Sequence, residues 1–257
     1  MALVLNHDSF MIAVVLGLSV LIGVSLGLLG GGGSILTVPI LSYVAGMATK
    51  EAIAASLFVV AVTSSVAVVA HARAGRVRWR TGLIFGAAGM AGAYGGGFLA
   101  GYIPGRVLMV LFGLMMAATA VAMLRKPRTA ATPVARELPV VKVILEGIVV
   151  GVVTGLVGAG GGFLVVPALV LLGGLSMQTA VGTSLLVIAM KSFAGFAGHL
   201  QHVDIDWRIT LGATGAAVVG SFVGGSLSGR IPPAILRRGF GVFIIAMAVF
   251  VLAKELV

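Results

Sequence analysis

The chain has 257 residues, 60% of them hydrophobic and 9% charged, with a mean hydropathy of +1.20; these values exclude an ordinary soluble domain and mark an integral membrane protein. Lys and Arg outnumber Asp and Glu by 17 to 7, but the positive charges sit in short segments between apolar runs, which fits the setting of membrane topology and not nucleic-acid binding. Cysteine is absent, so disulfides, thiolate metal sites and cysteine nucleophiles are excluded.

In chain order, Met1 to Phe10 carries no Lys or Arg, and the apolar stretch after it is too long for a signal peptide, so it is expected to be the first membrane element. A hydrocarbon core of about 30 Å takes about 20 apolar helical residues. Phe10–Leu29, Glu51–His71, Thr81–Ala100 and Arg106–Leu124 meet this in the first half, and Lys142–Val157, Gln178–His199, Ile209–Leu227 and Arg238–Ala253 in the second. Two shorter runs, Ser34–Ala45 and Gly162–Gly173, each follow a glycine cluster and read as half-helices.

The two halves align without a gap at an offset of 128 residues, with about a third of the aligned positions identical, the mark of an internal duplication. GVSLGLLGGGGSILTVP (23–39) lies over GVVTGLVGAGGGFLVVP (151–167), Ser56-Leu57 over Ser184-Leu185, His71 over His199, and Trp79-Arg80 over Trp207-Arg208. The pattern predicts an all-α polytopic membrane protein with a first repeat over 1–124, a polar, basic, proline-containing linker over 125–140 and a second repeat over 141–257. If each half is a broken-helix hairpin plus three spanning helices, it crosses the membrane an odd number of times and the second repeat is inverted. With the linker in the cytoplasm, twelve basic residues fall inside (Arg73, Arg76, Arg78, Arg80; Arg125, Lys126, Arg128, Arg136, Lys142; Arg230, Arg237, Arg238), four outside and one, Lys191, within a span. Inverted repeats therefore satisfy the positive-inside rule.

A chain that bends at membrane depth leaves backbone groups unsatisfied, which is tolerated where the bend is buried in protein or lines a wet cavity. The glycine clusters Gly30, Gly31, Gly32, Gly33 with Ser34, and Gly158, Ala159, Gly160, Gly161 with Gly162, would each present a helix N-terminus with free N–H groups. Paired across a pseudo-two-fold axis, they predict an anion site near the midplane; the competing reading is close helix packing. Neither cluster completes GxGxxG and no GK[ST] follows, so no nucleotide or other cofactor is expected. On helical wheels, Ser184, Lys191, Ser192, Gly195 and His199 share one arc and Ser56, Thr63, Ser64 and His71 the matching one, polar stripes expected to face the bundle interior. Ser56, Thr63 and Ser184 are candidate hydroxyl contacts, although such hydroxyls often bond their own helix. Lys191, with Thr63 as its counterpart, either attracts the anion or snorkels to the interface. His71 and His199 are the candidates for proton coupling. His199, His202 and Asp204 have the residue types of a metal site but only one loop to build it, and no metal is expected. Trp79-Arg80 and Trp207-Arg208 are expected to be interfacial anchors.

With G-L-x-G-x-G-G followed by proline in both halves, the Ser-Leu pairs and the H-x7-W-R spacing, the chain resembles the TauE/SafE family of sulfite-exporter-like membrane proteins over roughly residues 10–255. The resemblance implies transport of small sulfur-containing anions such as sulfite, thiosulfate or sulfonates, commonly outward across a bacterial inner membrane. The expected function is a secondary transporter working by alternating access, with a small anion and the lipid bilayer as its partners; substrate, direction and oligomeric state are not encoded in these motifs. A passive anion channel on the same scaffold is the first alternative. An intramembrane hydrolase using Ser184 and His199 is the second; it lacks GxSxG and places these residues about 22 Å apart along one helix.

Overall fold

The computed structural model describes residues 2–31, 33–124, 140–158, 161–171, 174–227 and 232–256. Residues 125–139 of the linker and three residues of the glycine clusters, Gly32, Ala159 and Gly160, lie outside the described residues. Among the described residues all regular structure is helical. The elements are α1 (Ala2–Leu29), α2 (Gly33–Pro39, continued as a π-helix over Ile40–Val44), α3 (Thr49–Arg73), α4 (Trp79–Ala100), α5 (Gly105–Leu124), α6 (Val140–Val157), α7 (Gly162–Leu171), α8 (Met177–His199), α9 (Trp207–Leu227) and α10 (Pro233–Leu256). Met11–Leu29 of α1, together with α3, α4, α8 and α9, is long and apolar enough to cross a membrane. Leu21, Leu145, Val219, Phe222 and Val249 are exposed on the outside of the bundle, the apolar exterior that a lipid-facing surface requires.

The first short helix turns back beside α1, and the second packs chiefly on α8 while sharing an apolar cluster with α6. Val15, Leu18 and Ile22 of α1 share one apolar cluster with Leu36, Ile40 and Leu41 of α2, and Val143 and Val150 of α6 share another with Val165 and Leu169 of α7. Pro39 and Pro167 lie inside the short helices. Proline has no N–H to donate and crowds the carbonyl four residues back, and directly after Pro39 the helix widens to π geometry. Both short helices stop at a glycine cap. Gly46 (φ 71°) and Gly174 (φ 61°) adopt the left-handed conformation, while the N–H groups of Met47 and Leu175 donate to Leu41 O and Leu169 O, each at 3.1 Å, which satisfies the last carbonyls. Gly33–Val44 is therefore a finished element of about 18 Å, too short to cross a hydrocarbon core of about 30 Å.

Helices α3 and α8 are the most buried of the five long apolar helices. A side chain added at Gly182 would meet His71, and one added at Gly195 would meet Leu57, so the two helices run antiparallel, with residues 61–64 opposite 188–191. Around this pair, glycines at four-residue spacing bring other helices into backbone contact. Gly23 and Gly27 of α1 face Gly220 and Gly224 of α9, each against the partner helix's backbone, and Gly151 and Gly155 of α6 meet Gly92 and Gly96 of α4 in the same way. Without water to drive association in the bilayer, such close approach lets dispersion hold the helices together. At these eight positions the packing explanation for glycine applies. The clusters at 30–33 and 158–162 are different, because they form turns.

The turns are tied across the molecule. Ser184 Oγ of α8 donates to Gly30 O at 3.0 Å, and Ser56 Oγ of α3 donates to Gly158 O at 3.1 Å. Gly30 (φ 70°) and Gly158 (φ 75°) are both left-handed, and each bond is the 128-residue image of the other. Gly31 and Gly162 touch through their backbones, so the two turns meet. Removing either tie by Ser56→Ala or Ser184→Ala is expected to lower stability by about 1 kcal/mol, read as a lower melting temperature in detergent. Gly220→Leu, which forces α1 and α9 apart, should lower it further; a melting temperature unchanged by Gly220→Leu would contradict the packing account.

Candidate functional site

Lys191 sits near the middle of α8, and it is 1% exposed. Its aliphatic stem crosses Gly89 of α4, where a Cβ would lie 2.6 Å from Cδ, and its Nζ ends 2.7 Å from where a Cβ of Gly161 would stand. The head group thus lies against the second glycine turn, at the start of α7, instead of reaching an interface. Among the described residues its one hydrogen-bond partner is Thr154 Oγ1, at 3.5 Å; that hydroxyl in turn donates to Gly151 O at 3.0 Å. No carboxylate forms an ion pair with Lys191 among the described residues. An ammonium at the centre of a membrane helix costs about 2.5–3.5 kcal/mol even on the most lenient scales, and a buried cation without a counter-charge is strongly destabilising.

The turn beside it supplies further donors. Gly161 is left-handed (φ 67°), and the first bonds inside α7 are donated by Leu164 and Val165 to Gly161 O. The N–H groups of residues 162 and 163 precede those bonds, in the position of unsatisfied helix-start amides. Positive backbone dipole and lysine head group therefore converge at one place.

The first half builds no such cradle. At the offset of 128 residues Leu26 stands for Thr154, Gly33 for Gly161 and Thr63 for Lys191. A Cβ on Gly33 would meet Ile22 O and Leu26 Cβ, so that side is filled by backbone and hydrocarbon. Ser34 Oγ donates to Gly31 O at 2.7 Å, an internal bond of the first turn. Among the described residues, the lysine at the glycine turn has no counterpart in the first half.

Both polar stripes face inward. Ser56, Thr63, Ser64, Ser184, Lys191 and Ser192 are buried, as are His71 and His199. Their hydroxyls divide into two groups. Ser56 and Ser184 are occupied by the turn carbonyls, and Ser184 also donates to Val181 O at 2.8 Å. Thr63 Oγ1, Ser64 Oγ and Ser192 Oγ have no partner among the described residues, whereas Ser19, Ser65, Thr119 and Thr214 make the usual bond to the carbonyl four residues back. Buried hydroxyls left unpaired are rare in native interiors.

His71 and His199 lie about 25 Å apart along the bundle, because His71 packs beside Gly182 and His199 ends the same helix. His71 Nε2 lies 3.4 Å from Gly27 O and His199 Nδ1 lies 3.0 Å from Gly195 O; the other ring nitrogen of each has no partner among the described residues. Neither histidine reaches the central turn. His202 stacks edge-on with Phe98 and Tyr102, and no group of three metal-ligating side chains occurs among the described residues. Trp79 and Trp207 are half-exposed at helix starts, and Trp207 packs on Phe58, as interfacial anchors do. Thr154 and Gly89 were not singled out by sequence reasoning. The signal for both was in the repeat alignment, where a hydroxyl replaces Leu26 and a bare backbone replaces Ala217.

Known proteins resemble the chain along most of its length. The sulfite exporter family TauE/SafE matches residues 15–251. A probable membrane transporter protein of Xylella fastidiosa (strain 9a5c) is 36% identical over 250 residues, which cover 94% of this chain and 95% of that protein. The probable membrane transporter protein YdhB of Bacillus subtilis (strain 168) is 25% identical over 221 residues, covering 84% and 90%. One of Methanocaldococcus jannaschii is 29% identical over 201 residues, 74% of each chain. No solved structure matches the chain. A match over nearly the whole length, on a helical bundle with several spans, makes this chain a multi-pass membrane protein of the TauE/SafE family.

Proposed function

We propose that the protein is a secondary transporter that exports a small sulfur-containing anion, such as sulfite or an organosulfonate, by alternating access between two inverted repeats. The observation that carries this reading is the buried Lys191 head group at the second glycine turn, without a carboxylate among the described residues. An anion resting on Lys191, Thr154 and the helix-start amides of α7 supplies the missing counter-charge. It also offers acceptors to the unpaired hydroxyls of the two central helices. Small oxyanions suit the site because charge-assisted hydrogen bonds from an ammonium and amides are short and strong.

The antiparallel contact of α3 with α8, the exchanged serine ties and the two re-entrant hairpins support the inverted arrangement. The charge distribution supports a cytoplasmic linker in a bacterial inner membrane. Transport requires the anion to leave the central turn toward either face in alternation. An inside-negative membrane potential favours outward movement of a negative charge by about 2.3 kcal/mol per 100 mV, enough to drive export of a monoanion without ATP. The hydrolase reading finds no support, since Ser184 is engaged with backbone carbonyls and His199 lies far along the same helix.

Thermal stabilisation of purified protein by sulfite, thiosulfate, sulfate, sulfoacetate, taurine and simple carboxylates tests the anion site and ranks its ligands. At least one sulfur oxyanion should raise the melting temperature of the natural protein, and Lys191→Met should remove that shift while the unliganded protein stays folded. Retention of the full shift in Lys191→Met would contradict the assignment. In proteoliposomes, an outward gradient of unlabelled anion should drive uphill uptake of labelled anion; its absence despite rapid flux would identify a channel.

A further inference from the structure

The two ends of the bundle, related by the repeat, differ in packing. At the end where α3 finishes, a pocket of about 170 Å³ is lined by Ala70, His71, Ala74, Arg76, Gly225 and Ser226. Arg76 is half-buried and faces no carboxylate among the described residues, and it lies near enough to His71 for their charges to interact. His71 itself is 3% exposed and has a ring nitrogen without a partner among the described residues. At the opposite end the repeat places His199 for His71, His202 for Ala74, Asp204 for Arg76, Gly97 for Gly225 and Phe98 for Ser226. There the equivalent space is filled: His202 stacks on Phe98 and Tyr102 with ring centroids 5.3 and 5.2 Å away, and its ring covers Gly101. Lys50 Nζ to Gly101 O at 2.6 Å and Gln201 to the Tyr94 hydroxyl at 2.8 Å tie the same end down.

From this asymmetry we infer that the His71–Arg76–Ser226 pocket is an anion-binding vestibule, the site where a small oxyanion waits before moving to the central turn. The inference rests on the transporter reading for its destination but not for its own chemistry. Arg76 supplies the fixed positive charge and planar donors suited to a sulfonate or sulfate. His71 and Ser64 lie two helical turns apart on the same face of α3, so the unpaired Ser64 hydroxyl is the next polar group inward from the pocket. At the other end the aromatic stack of His202, Phe98 and Tyr102 takes up the equivalent space, and the Lys50 ammonium is engaged by Gly101 O.

The absence of native cysteine makes the test direct, because Ser226→Cys introduces the sole thiol. In purified protein its reaction rate is compared for a sulfonate-bearing and a trimethylammonium-bearing methanethiosulfonate of similar size. Ser176→Cys, exposed at the start of α8 on the same end, serves as the control for the general basic field. The anionic reagent should react at Ser226→Cys at least about tenfold faster than the cationic one, relative to the control, as focused positive potential predicts. Sulfate or sulfoacetate should slow that reaction, and Arg76→Gln should abolish both preference and protection while Arg76→Lys retains most of the preference. Equal rates for the two reagents, or no protection by either anion, overturn the vestibule. Adding Lys191→Met separates the two claims: the preference at Ser226→Cys should persist although the central site is gone. Protection at Ser226→Cys without any anion-induced stabilisation of the natural protein would leave the vestibule standing and remove the central site.

Discussion

A lysine head group buried at the centre of a helical membrane bundle, with no carboxylate to balance it among the described residues, is the constraint on which the rest of the structure depends. Several features that look independent in the sequence serve it. Gly89 lacks a side chain where the lysine stem crosses α4, Gly161 is left-handed and bare where the ammonium ends, and Thr154 gives it one oxygen. The helix-start amides of α7 add positive potential to the same spot. A second cation or a carboxylate there would change the sign or the strength of the site; in the proposed transporter it holds one small anion.

Duplication explains the scaffold, and departures from duplication explain the chemistry. The serine ties, the glycine caps at Gly46 and Gly174, the prolines in the short helices and the glycine-to-backbone contacts between helices all occur twice, 128 residues apart. These features hold two hairpin turns against each other at membrane depth. What occurs once is the replacement of Leu26 and Thr63 by Thr154 and Lys191, and of the half-buried Arg76 and its pocket by the His202 ring stack. The first replacement chooses which half carries the charge, and the second leaves one end of the bundle open and the other closed.

Most of the fold was legible in the sequence because membrane helices announce themselves by length and hydropathy, and because the repeat allowed each half to check the other. The short runs after the glycines were readable as half-helices, but their packing on α1 and α8 depends on interhelix contacts that no local pattern encodes. The inward direction of the two polar stripes followed from helical period. Their division into turn-holding and unpaired hydroxyls did not, since Ser56 and Ser184 find their acceptors more than a hundred residues away. For the same reason Thr154 and Gly89 escaped notice: one looks like an ordinary helix threonine and the other like one more packing glycine. The snorkelling alternative for Lys191 was equally compatible with the sequence, and the bare backbone at Gly89 and Gly161 is what lets the side chain lie inward.

The central claim is that one anion sits at Lys191, and locating an anion directly tests it best. An experimental structure determined in selenate, a heavy analogue of sulfate whose selenium scatters anomalously, should show one anomalous peak within hydrogen-bonding reach of Lys191 Nζ and the start of α7, and that peak should vanish in Lys191→Met. An empty central turn with selenate bound elsewhere in the bundle would contradict the account.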